Sequence, residues 1–309
     1  MKRFFLKRIL ILIPMLFIIS FISFSIINLS PQDPAKVALL ASGVPEVTDE
    51  LVHKYKEENG LNKPFLVRYK DWALNAMKLN FGKSYVTSKD VSDEILPAFK
   101  NTMSLALVTA VLFIIISVVF GVLCAVFEGE IVDRLVRFLM FIIYSMPSYW
   151  LGILFIWLFS VKLNLLPTSG MESWKSYILP SFVLSIGYFA FYFRLIRNTM
   201  IQNSRENYIL FKKACGLKKF TVIKHIFINS IQTTVAGLFM SFSTLIGGTF
   251  VIESIFAWPG LGRVCISAIL ARDLPVIQAY ILIMATSFVI FNLLADIANA
   301  FLNPKLREG

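Results

Sequence analysis

The chain has 309 residues, is 57% hydrophobic and only 16% charged, and has a mean hydropathy of +0.72. Soluble domains carry about 25% charged residues, so this balance excludes an ordinary water-soluble globule and points to a polytopic membrane protein. The net charge of +11 would suggest nucleic acid in a soluble chain; here the basic residues are placed as an orientation signal, and no nucleic-acid partner is expected.

A bilayer core about 30 Å thick takes roughly 20 apolar residues of helix. In chain order, six runs qualify: Ile9–Leu29, Thr102–Phe127, Phe138–Val161, Tyr177–Phe193, Ile231–Ile252 and Val276–Leu302. The first follows Lys2, Arg3, Lys7 and Arg8, as a signal peptide would. It is too long for a typical signal core and no A-x-A site follows, so it reads as an uncleaved anchor. With the N-terminus inside, sixteen lysines and arginines fall in the short cytoplasmic stretches and four, Lys162, Lys175, Arg263 and Arg272, in the short outer ones. The expected fold is therefore all-α with six transmembrane helices and both termini cytoplasmic. The expected organisation is an N-terminal anchor helix (1–30), an extracellular segment (31–100) and a five-helix core (101–309) with a cytoplasmic loop at about 194–230.

Within the outer segment, Thr48 is placed to cap a helix whose first turn holds Asp49 and Glu50, with Gly60 beyond its end. Asn62-Lys63-Pro64 reads as a turn. Phe65–Leu79 then carries Phe65, Leu66, Tyr69, Trp72, Ala73, Ala76 and Leu79 at helical spacing, a face suited to the membrane surface or to capping the helix bundle.

Several chemistries are missing. No G-x-x-x-x-G-K-[ST] or H-E-x-x-H occurs. The histidines, His53 and His225, are isolated and read as surface residues. Cys124, Cys215 and Cys265 lie far apart with no metal-ligand spacing, and an odd scattered set argues against a disulfide framework. No catalytic residue and no metal site are expected. Asn292, Asp296 and Asn299 share one face of the last span. They form either a polar packing seam or, in an ion-coupled secondary transporter, the site of the driving ion.

Two stretches carry the functional argument. Residues 211–226, FKKACGLKKFTVIKHI, hold five lysines between two apolar runs. Leu217, Phe220, Ile223 and Ile226 recur at helical spacing, and Gly216 divides the segment into helix, turn and amphipathic helix. This suits an interfacial helix held by anionic lipid, or a docking knob for a second protein. The second stretch is VIESIFAWPGLGR, 251–263. Its glycines, Gly260 and Gly262, would let the chain turn back after the fifth span, with a short helix over Val264–Leu270. It would serve as well as an ordinary outer turn. Pro147 and Pro180, with Gly152 and Gly187, mark places where spans three and four could kink.

Ala214-x-Gly216 followed after nine residues by Ile226-x-Ile228 resembles the EAA loop of binding-protein-dependent ABC importer permeases. The family's acid–alanine–alanine start falls on Leu210, Phe211 and Lys212, and its closing proline on Asn229. Val251–Arg263 resembles the E-x-x-F-x-x-P-G-L-G signature of the peptide and nickel branch. So do LNLLPTSG (163–170), PSYW (147–150), ARDLPVIQAY (271–280), LADIANAFLNPKLREG (294–309), and KPFLVRYKDW and NFGKSY in the outer segment. The resemblance implies a MetI-like permease fold in a bacterial cell membrane, and a translocating subunit that is not an enzyme. It implies a second, often non-identical permease, two ATPase subunits that use ATP and magnesium, and an extracellular binding protein; the chain itself would bind no cofactor. By the same resemblance Ala214, Gly216, Leu217, Phe220, Ile223 and Ile226 would couple to the ATPase, and Glu253, Phe256, Pro259, Gly260, Leu261 and Gly262 would form the outer turn or gate. Cargo in this branch is a dipeptide, an oligopeptide, nickel or a metal–chelator complex, and the C-terminal stretch looks most like the nickel and metallophore importers.

Overall fold

A computed structural model describes residues 2–28 and 33–302. Among these there is no strand; the chain is built of helices and turns. The 29–32 junction and residues 303–309, including Lys305, Arg307 and the end of the C-terminal motif, lie outside the described residues. The chain divides into two compact units: 1–102 with 259–290, and 103–258 with 291–309.

The first unit begins with α1 (Lys2–Asn28), α2 (Pro34–Ala41), α3 (Asp49–Glu58) and α4 (Phe65–Ala76). Thr48 caps α3 as the sequence predicts, its Oγ1 accepting from the Leu51 amide at 3.4 Å, and Gly60 follows the end with φ +64°. Helix α4 stops three residues short of expectation, because Leu79 turns left-handed at φ +59°. Its aromatic face meets α1 instead of a free membrane surface: Tyr69 lies edge-on to Phe21 at 5.1 Å and Trp72 lies 5.5 Å from Phe24. A hydroxyl contact joins Ser20 to Tyr69 at 2.8 Å. On Asp33, burial pushes the carboxyl up, but the Lys56 ammonium and the Ala35 amide more than offset this and hold it below its ordinary range. The Asp33–Lys56 pair thereby fixes α2 to α3.

The start of α5 (Val91–Val126), α11 (Leu261–Ala271) and the start of α12 (Leu274–Leu302) complete this unit. Phe81, Val91, Ile95, Leu261, Val276 and Ala279 are buried in its core.

The second unit holds the rest of α5, α6 (Ile131–Tyr144), α7 (Ser148–Phe155), α8 (Ile178–Ser204), α9 (Asn207–Ala214), α10 (Lys219–Ile255) and the end of α12. The kink expected at Pro147 is present here, and two other expectations change. The third apolar run is not one straight span: the chain bends by 98° between α6 and α7, where Pro147 caps α7, and α7 continues as a π-helical turn over Ile156–Lys162. Proline removes an amide and its ring clashes with the preceding turn, which explains a break at this place. Pro180, by contrast, sits in the first turn of α8, where no internal amide is needed, and α8 runs unbroken to Ser204. The amphipathic helix after Gly216 and the fifth apolar run form one 37-residue helix, α10, roughly 55 Å long.

Among the described residues α5, the stretch Trp174–Ser204 and α12 are long and apolar enough to cross a membrane, and the bent α6–α7 pair is a fourth candidate. Leu10–Ile26 and Met240–Ile255 are shorter apolar stretches inside longer helices.

Candidate functional site

The 205–230 segment follows from local sequence. Helix α9 ends in two bonds: the Gly216 amide donates to the Lys213 carbonyl at 3.0 Å, and the Leu217 amide donates to Lys212 at 3.3 Å. This is the double closure of a helix whose next residue turns left-handed, and Gly216 takes φ +74°. A side chain at Gly216 would meet open space, so its need for glycine is conformational and not steric. The chain then re-enters helix at Lys219.

The base of this segment is packed. Ile209 of α9 and Val222 and Ile226 of α10 are buried against Ile196 and Met200 of α8. Asn203 Nδ2 donates to Ser230 Oγ, and Asn229 Nδ2 to the Tyr208 hydroxyl, both at 2.8 Å. The tip is bare. Residues 213–220 are all exposed, Phe211 is 70% exposed and Phe220 78%. The predicted stripe therefore splits. Ile226 is buried and Ile223 half-buried, whereas Leu217 and Phe220 face outward beside Lys218 and Lys219 with Ala214 and Gly216. Val222, not Phe220, is the buried partner of Ile226, one helical turn away, and the three-residue periodicity concealed it.

Beside this base sits an ion cluster that sequence reasoning missed. Asp133 of α6 is fully buried. Arg197 of α8 grips both its oxygens, Nε and one terminal nitrogen each at 2.7 Å, while Arg137 reaches Oδ1 at 3.2 Å and the Gly129 amide donates to Oδ2 at 3.0 Å. Arg205, at the end of α8, pairs with Glu128 at 2.9 Å. The only local signal was Asp133 and Arg137 at i, i+4. Close by, Gly121 of α5 admits α8: a Cβ there would lie 2.8 Å from Ile196 Cγ2.

The second predicted stretch straddles the two units, and each side has its own partners. On the second unit's side, Glu253, Phe256 and Trp258 are buried. The Gly170 amide donates to the Phe256 carbonyl at 3.0 Å, the Trp258 amide donates to the Glu253 carbonyl at 2.8 Å, and Tyr177 lies edge-on to Trp258 at 4.6 Å. On the first unit's side, Asn101 Nδ2 donates to the Pro259 carbonyl, and Thr102 Oγ1 accepts from the Leu261 amide, both at 2.8 Å. Gly260 is extended at φ −106° and Gly262 lies inside α11. The expectation that these glycines supply the turn is thus corrected: Ala257 and Arg272 take the left-handed conformation, at φ +46° and +58°. The short helix is longer than Val264–Leu270 and begins at Leu261. Asp273, just beyond it, accepts from Ser84 Oγ and from the Tyr85 amide at 3.1 Å; no local pattern signals this role.

Among the described residues no group of histidine, cysteine and carboxylate side chains is placed to hold a metal. Cys124 and Cys265 are buried and Cys215 is exposed, all as free thiols.

Residues 117–308 match the family described as "Binding-protein-dependent transport system inner membrane component", and residues 1–106 match the N-terminal region of the corresponding membrane components. The chain is 45% identical to the metal-staphylopine import system permease protein CntB of Staphylococcus aureus strain Mu50, over 100% of this chain and 99% of that protein. It is 35% identical to the glutathione transport system permease protein GsiC of Escherichia coli strain K12, over 99% of each. In fold it is similar to a chain of the inward-facing MetNI methionine ABC transporter, with a TM-score of 0.50 at 17% identity, covering 70% of this chain and 95% of that one.

Proposed function

This chain belongs to the family of binding-protein-dependent transport-system inner-membrane components, and on that premise we propose that the 205–230 segment is its docking element for an ATP-hydrolysing subunit. The chain is the permease subunit of an ABC importer, in the branch that carries peptides and metal chelates; it is a translocating subunit and not an enzyme. The observation that carries the docking proposal is the contrast inside one segment: a packed base under an exposed apolar tip rimmed by lysines. A plain interfacial helix needs no left-handed break, whereas a knob that enters a cleft does. The ion-coupled reading through Asp296 finds no support in this family.

The finer architecture is proposed on the same footing. Helices α1 and α10, 27 and 37 residues long, supply the two further spans that bring the count to six. The lysine and arginine asymmetry puts both termini in the cytoplasm of a bacterial cell. Residues 31–100 then lie outside, after an anchor at 1–30, and 101–309 form the core. The working unit is two permeases, non-identical, with two ATPases and one binding protein. Glu253, Phe256, Pro259, Gly260, Leu261 and Gly262 form the outer turn of the pathway, held by the buried contacts described above. The cargo is a metal–chelator complex, favoured by the higher identity to the metal-staphylopine permease. A peptide is the second reading, favoured by the glutathione permease.

Cross-linking tests the docking. With Cys215 replaced by serine, a cysteine at Phe220 should cross-link to the ATPase in assembled complexes, and ATP should change the yield. A fully active importer in which Phe220→Cys captures no ATPase overturns the assignment. Uptake of labelled nickel that requires the chelator separates the two cargo readings.

A further inference from the structure

A cavity of about 610 Å³ lies within the first unit, between the 80–88 loop, the α3–α4 hairpin and the start of α12. This is the size of a small-molecule site. Phe24, Trp72 and Phe81 give it apolar wall. Its charged lining is three cations, Lys63, Arg68 and Lys83, and one carboxylate, Asp71, which Lys63 holds at 3.2 Å. Tyr55 and Tyr85 also face it, and burial pushes both phenols up, so they remain hydroxyl donors.

The independent observation is Gln278. It lines the cavity, is 6% exposed, and its buried Nε2 has no protein acceptor. A buried amide donor left unsatisfied is costly, and a small turn of the Gln278 side chain would bring it to an acceptor at this wall. The wall is also preformed. Asn80 Oδ1 accepts from the Gly82 amide at 3.1 Å, the Val91 amide donates to Gly82, and Ser84 and the Tyr85 amide are anchored on Asp273. Ser42 Oγ donates to the Tyr85 carbonyl at 2.8 Å.

We propose that this cavity is a binding site for a small carboxylate that also carries an apolar or aromatic group. The carboxylate meets Arg68 and the Gln278 amide, and the apolar part rests on Trp72 and Phe81. Nothing in this site depends on ATP or on the docking segment.

Equilibrium dialysis on the full chain in lipid nanodiscs tests it. The probe is N-acetyl-L-phenylalanine, with its amide and inorganic phosphate as controls. Saturable binding of the acid, with the amide at least roughly tenfold weaker, is expected. Arg68→Gln should weaken the acid by about tenfold or more and leave the amide unchanged. Gln278→Leu removes an orphan donor without unfolding the chain and should also weaken the acid; unchanged binding in it overturns the proposal. Lys83→Gln, in an exposed loop, gives a smaller loss of about threefold and guards against a folding artefact in the other two. Equal binding of acid and amide means an apolar hole only. Displacement of the acid by phosphate at equal concentration means a generic anion patch. Either result overturns the assignment, and both leave the docking proposal untouched.

Discussion

Two segments of this permease turn sharply, and they do it by opposite means. At 214–218 a glycine takes φ +74° in solvent, with nothing packed around it. At 256–262 the two glycines do ordinary extended and helical work, while Ala257 takes the left-handed position next to a fully buried Trp258. The first turn is held by backbone closure alone, so the residue there must tolerate the conformation by itself. The second is held by packing and by the Gly170 amide, so its surroundings impose a conformation that alanine would not choose. Glycine marks a turn where tertiary contacts are absent and need not mark one where they are dense.

Substitutions break or sharpen that contrast. The largest effects belong to buried partners. Asp133→Ala leaves the Arg197 guanidinium, 14% exposed, without its bidentate carboxylate. Loss of about 3–5 kcal/mol is expected, read as a lowered unfolding temperature and less chain in the membrane. Trp258→Ala should cost a similar 3–5 kcal/mol, roughly, by opening a cavity in the buried turn. Phe220→Ala is its counterpart on the exposed tip: stability should stay within about 0.5 kcal/mol, while ATP-driven uptake falls. If Phe220→Ala lowered the unfolding temperature as Trp258→Ala does, the tip would be a core element and the contrast would be wrong.

The glycines come next. Gly216→Val places a β-branched side chain in the left-handed region, at roughly 1–2 kcal/mol, and re-aims the tip. Uptake in vesicles should fall by about tenfold, equivalent to about 1.4 kcal/mol, with ATP hydrolysis persisting. Gly260→Ala, at an extended φ, should keep most of its uptake. The reverse ranking would move the functional turn to the other segment.

The smallest effect concerns neither turn and serves as a baseline. Asp33 has its folded pKa depressed, so its pairing with Lys56 contributes stability above its unfolded pKa and loses it as pH falls through the lower folded value. Amide exchange in α2 and α3 should therefore speed up as pH drops below about 4, after correction for intrinsic rates. Asp33→Asn should remove that step.

Much of the helical content was legible because it is local. Thr48, Asp49 and Glu50 announce α3, and Gly60 ends it. The lysine-rich stretch with Gly216 was readable as helix, turn and helix because the closure of α9 uses only residues 212–217. The exposed half of its stripe was not readable, since Phe220 and Val222 are equally apolar and only the position of α8 decides which is covered. The bend before α7 was signalled by Pro147 but not its size of 98°.

What the amino-acid order by itself determined is the set of apolar runs, the two ends of α3 and the break at Gly216, because each depends on side-chain period and backbone preference within a few neighbouring residues. What only the tertiary structure decided is which distant groups meet. Asp133 finds Arg197 across 64 positions, and Ser84 finds Asp273 across 189. Gln278 comes to line a wall with Arg68 and Trp72. No local rule encodes such pairings: a charge or amide has the same preferences anywhere along the chain, and its partner is fixed by which helix faces the packing brings together.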